Sequence, residues 1–97
     1  MVEQIAVDRL AALFEETGKA HHQAYIATNG EDPEWPLWYA DYLVERITDL
    51  LGKKLTRSEI SHWLLLADAA ASKSSESGGW TEKYAAFFFR TRNDPRQ

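Results

Sequence analysis

Apolar residues recur along the first third of the chain at intervals of three and four. Ala6, Leu10, Leu13, Phe14, Thr17, Ala20, Ala24 and Tyr25 fall on one arc of a helical wheel, and Asp8, Glu15, Glu16, Lys19 and Gln23 fall on the other. That period predicts an amphipathic helix over residues 3–28. The phase continues through Gly18, so a single long helix is expected. A helical Gly costs about 1 kcal/mol relative to Ala, but Gly18 with Ala20 and Ala24 would let a neighbouring helix approach closely. Asn29-Gly30 is a stop signal, since Gly suits the left-handed residue that closes a helix.

A second helix is predicted over residues 33–51. Asp32 can cap it with Pro33 at the first position, where a missing N–H is harmless. The alternative is a short turn and a helix that starts at Pro36. Leu37, Ala40, Leu43, Val44, Ile47, Leu50 and Leu51 make its apolar stripe, and Gly52 ends it. The third helix, residues 57–71, opens on a capping box, Thr56-Arg57-Ser58-Glu59, in which side chain and backbone satisfy each other's orphan N–H groups. Ile60, Trp63, Leu64, Ala67 and Ala71 share its inner face. Residues 72–79, SKSSESGG, have a flexible linker's composition. A fourth helix over 81–91 stacks Trp80, Tyr84, Phe87 and Phe88 on one side. No segment alternates at period two long enough to be a strand. The expected fold is all-α: one domain over residues 1–97, a small antiparallel bundle of about four helices, the last reached through the linker. That linker leaves the fourth helix free to pack on its own chain or to exchange with a partner, and apolar surface left exposed on the three-helix unit would favour a homodimer.

Composition narrows the function classes. The chain has 97 residues, enough for one core, with net charge −4 and a pI near 5.3. Nucleic-acid binding needs a basic footprint to displace counterions, and no long basic block exists, so no nucleic-acid partner is expected. No cysteine is present, which removes disulfides, thiolate chemistry and the common zinc motifs and suits a reducing cytoplasm. The first residues carry acids where a signal peptide carries bases. No apolar run approaches the roughly 18 residues of a membrane span. A cytoplasmic protein with no membrane partner is expected.

Three sets of residues break the bland pattern. His21 sits mid-arc on the apolar face of the first helix, where an imidazole needs a hydrogen-bond partner. A backbone carbonyl or a hydroxyl such as Thr17 or Tyr25 would satisfy it; a carboxylate would make it a base or ligand in a dry pocket. Asp41 borders the stripe of the second helix with Glu45 one turn on, so a His21–Asp41 pair across the two helices is one expectation. Trp38 and Tyr42, with Trp35 nearby, lie off that stripe; they are either covered core or an aromatic patch for a partner. Glu59-Ile60-Ser61-His62 has the E-x-x-H spacing of di-metal bundles, but it occurs once and the capping box already uses Glu59. No metal, cofactor or catalytic residue is assigned. No phosphate loop, dinucleotide fingerprint, nucleophile elbow or calcium loop is found.

The run G-x-D-P-x-W-P-x-W-Y-A-x-Y-L, Gly30 to Leu43, with the preceding ETGKAHHQAY, resembles small uncharacterised bacterial helical proteins. The resemblance covers the first three helices and implies no activity. The leading expectation is a protein acting through protein contacts or self-association, centred on Trp35, Trp38 and Tyr42. The alternative is a ligand-binding protein or enzyme built on His21 with Asp41 or Glu45.

Overall fold

A computed structural model describes residues 2–73 and 79–92. Five α-helices follow in order: α1 (Val2–Ala24), α2 (Trp35–Leu43), α3 (Ile47–Leu51), α4 (Arg57–Lys73) and α5 (Trp80–Thr91), with a short 3-10 turn at Ile26–Thr28 after α1. No strand occurs among the described residues. The fold is all-α, as its periodicity predicts. α1 packs along α5, α2 along α4, and α4 against α5. The fourth helix of the sequence reading is α5, and it packs on its own chain. Most of the expected linker, residues 74–78, lies outside the described residues.

Helix boundaries differ from expectation chiefly at three places. α2 begins at Trp35 rather than Pro33, because the Asp32 carboxylate accepts from the Glu34 N–H and the Asp32 carbonyl from the Trp35 N–H, a turn that precedes the helix. α1 ends at Ala24; Tyr25 leaves the helix at φ −114°, and Asn29 and Gly30 take left-handed values of 57° and 87°. The Gly30 N–H then donates to the Tyr25 carbonyl at 2.9 Å, closing the reversal. The expected second helix is broken in two over residues 44–46. The Arg46 guanidinium donates to the Tyr42 carbonyl at 2.6 Å, the oxygen that the Arg46 N–H would use in an unbroken helix. The Arg46 N–H donates instead to Leu43 at 2.9 Å, and the ladder tightens and restarts at Ile47.

The buried face keeps its helical phase across the break. Pro36, Tyr39, Ala40 and Leu43 are inside in α2, and Ile47 and Leu51 in α3. Leu37, expected in the core, is 60% exposed. It stands one residue, about 100°, from the face that Pro36 and Tyr39 occupy. The α4 capping box forms: the Thr56 N–H donates to Glu59 Oε1 at 2.9 Å and the Glu59 N–H to Thr56 Oγ1 at 3.1 Å.

Leu10, Phe14, Leu43, Ile47, Ile60, Leu64 and Phe88 are fully buried, and Leu55 plugs the core from the α3–α4 connection. Phe14 is the hub. Its ring meets Phe88 at 5.1 Å and Tyr84 at 5.8 Å, both edge-on, the arrangement that aromatic quadrupoles prefer. Gly18 serves the close approach foreseen for it: Trp80 of α5 lies over it, and a Cβ there would sit 3.0 Å from the indole.

Candidate functional site

The loop between α1 and α2 folds back onto the last turn of α1. Thr28 Oγ1 donates to the Glu31 carbonyl at 2.8 Å, and the Glu34 N–H donates to Asp32 Oδ1 at 3.0 Å. Gly30 lets the loop lie flat against His22, since a Cβ at that position would come within 2.7 Å of His22 Nδ1. This reversal carries Asp32 to His21. Nε2 of His21 and Oδ2 of Asp32 are 3.0 Å apart, with side-chain exposures of only 7% and 8%.

Aromatic rings wall the pair. Tyr25 stacks on the imidazole at 4.8 Å, Trp38 meets it edge-on at 5.1 Å, and Tyr39 lies at 5.3 Å. A carboxylate only accepts hydrogen bonds, so Nε2 carries the proton and Nδ1 of a neutral His21 is an acceptor. Nδ1 has no protein partner among the described residues, and no buried polar side-chain atom there is left unpaired. It is therefore not sealed, and His21 lines a cleft of about 740 Å³ with Gly18, Lys19, Asn29, Tyr39, Trp80 and the polar side chains of Glu15, His22 and Gln23. An oriented imidazole with one free nitrogen, in a cleft that pairs two rings with several polar side chains, can accept a hydrogen bond from a bound molecule.

The hydrogen bond from His21 holds the Asp32 carboxyl below its ordinary value of 3.8, helped by the Glu34 N–H against the opposing effect of burial. A carboxyl lowered by folding stabilises the fold above its unfolded pKa, and loses that contribution as pH falls through the folded value. The acid limb of stability below about pH 3.8 should thus contain a step owed to this pair. Asp32→Asn keeps an acceptor for Nε2–H but does not titrate. Melting temperatures measured from pH 2 to 6 should fall less steeply for this variant at the acid end. An unchanged slope would mean that the pair does not couple to folding.

The other expected site residues lie elsewhere. Asp41 does not meet His21: its side chain is 72% exposed and accepts from Arg57 Nε at 2.9 Å. It faces the start of α4 rather than α1, and an exposed pair of this kind contributes little. Glu45 is exposed beside the helix break. Trp35 and Trp38 are half-buried; Trp35 packs on Tyr39 at 5.2 Å, and Trp38 stacks on Tyr42 at 5.6 Å. Tyr42 donates to Glu16 and lies under the Arg46 guanidinium at 3.9 Å; the Glu16 hydrogen bond raises its pKa. His62 is exposed, and no group of His, Asp and Glu among the described residues is arranged to hold a metal.

Asp32 is a candidate site residue that the sequence reading places only as a helix cap. Its signal was its place after Asn29-Gly30, a reversal that turns the chain back on the final turn of α1. No family model, no curated protein and no solved structure matches this chain.

Proposed function

We propose that this chain is a small cytoplasmic binding protein whose ligand site is the cleft beside α1, with His21 as its polar anchor. The carrying observation is the buried 3.0 Å His21–Asp32 pair, whose histidine lines that cleft. Convergent polar groups beside ring faces in a concavity are a usual form of small-molecule site, and here Lys19, His21 and Asn29 converge beside Tyr39 and Trp80. The ligand would offer a hydrogen-bond donor to Nδ1 and a flat face to Tyr39 and Trp80. Nδ1 is bonded to no nucleophile among the described residues, so the reading is binding rather than turnover. A fragment library screened by amide chemical shifts tests it. Hits should move Gly18, Lys19, Asn29 and Gly30 together and fail with His21→Ala. Hits that cluster elsewhere would refute it.

Self-association is a second reading, favoured by Leu37, which stands 60% exposed next to Trp38. Its occupant would be a second copy of the chain. Light scattering from micromolar to millimolar concentration should then show a dimer that Leu37→Ser dissociates. A constant monomer mass would remove this reading.

A further inference from the structure

A second recess lies across Trp80 from the His21 cleft. Trp35 and Tyr39 of α2, Asp68 of α4, and Trp80 and Tyr84 of α5 line a shallow, open recess of about 250 Å³. The four rings neighbour one another in a circuit. Trp35 meets Tyr39 at 5.2 Å, Tyr39 meets Trp80 at 6.3 Å, Trp80 meets Tyr84 at 5.2 Å, and Tyr84 returns to Trp35 at 6.5 Å. One carboxylate completes the wall. Tyr84 donates to Asp68 Oδ1 at 2.8 Å, which fixes the anion beside the rings. Trp80 and Asp68 are exposed, so the recess opens to solvent on their side.

Ring faces are electron-rich and attract a cation laid against them. A carboxylate at the rim adds full charge to that attraction. A bare ammonium would have to replace strong hydration, yet one Asp68 oxygen already accepts from Tyr84. Alkylation removes the N–H donors, spreads the charge and supplies methyl groups that pack on rings. Among the described residues, the guanidiniums of Arg46 and Arg92 lie over Tyr42 and Phe89 rather than over these four rings. The protein's net charge of −4 favours a cationic ligand's approach. We propose that this recess binds an alkylated ammonium group.

The test uses the full chain, ¹⁵N-labelled, at constant ionic strength. Tetramethylammonium, choline and a peptide carrying one trimethyllysine are titrated, with 3,3-dimethylbutan-1-ol as the uncharged isostere of choline. The indole N–H signals of Trp35 and Trp80 should shift saturably, and the isostere should bind about tenfold more weakly or worse. Tighter binding of choline identifies a free small molecule as the source, and tighter binding of the peptide a modified side chain; both support the site. Asp68→Asn should weaken binding about threefold with the melting temperature kept, and Trp80→Leu about tenfold. The proposal is overturned if the isostere binds as well as choline, if Trp38 or Trp63 shifts instead, or if no signal saturates.

Discussion

Phe14→Ala should destabilise the protein by about 3–5 kcal/mol, the range for emptying a buried aromatic position. Phe14 is 0% exposed and joins α1 to α5 through Phe88, Tyr84 and, at 6.5 Å, Trp80. The loss has two parts. Transfer of the ring out of water is forfeited, and a void remains that these stiff rings fill poorly. A small domain has only about 5–15 kcal/mol of stability in total, so this change consumes a large share. In a domain of this size each kcal/mol moves the midpoint by about 4–8 °C, so thermal melts should fall by well over 10 °C. Phe14→Leu keeps much of the volume and should fall by less than half as much. A melt within a few degrees of the parent for Phe14→Ala would mean that α5 does not pack on α1 as described.

Gly18→Val should dislodge Trp80 and close both recesses at once. Trp80, with Tyr39, lines both the His21 cleft and the aromatic recess. Gly18→Ala is the milder case. Its Cβ would sit 3.0 Å from the indole, so the ring must yield by a few tenths of an ångström. Against that, Ala gains about 1 kcal/mol of helix propensity over Gly, and the balance is near neutral. Valine adds two methyl groups in the same notch and cannot be accommodated without moving the ring. Overpacking of this kind costs about 1–3 kcal/mol. The functional effect is larger than the stability effect: Trp80 emission should shift to the red, and tetramethylammonium titration should lose its saturable component. Retention of parental emission and binding in Gly18→Val would show that Trp80 is not held by Gly18.

These two variants also mark where the chain was legible and where it was not. Phe14 and Leu10 were readable as core because helical periodicity alone puts them on one arc. Gly18 was readable as a notch, but its occupant was not, since Trp80 lies 62 positions away in the chain. His21 was singled out correctly as a buried histidine in need of a partner. Of its expected partners, the Thr17 hydroxyl donates to the Leu13 carbonyl and Asp41 faces Arg57, and Asp32 takes the place. Asp32 stands in the loop, off any helical wheel, and only the path of the Tyr25–Trp35 reversal brings it to His21. Leu37 is exposed for a different reason: Pro36 and Tyr39 centre the buried face of α2, and Leu37 stands about 100° from Pro36, beyond its edge.

By itself the sequence determined the all-α class, the amphipathic faces of α1 and α4, and the capping box at Thr56. Each of these depends on residues within about one or two helical turns, where backbone sterics and 3.6-residue periodicity leave few alternatives. Tertiary structure alone decided the His21–Asp32 pair, the seat of Trp80 on Gly18, and the circuit of Trp35, Tyr39, Trp80 and Tyr84. The first joins α1 to the loop before α2, the second α1 to α5, and the circuit joins α2 to α5; their geometry follows from how the chain reverses and the buried faces interlock rather than from any local pattern.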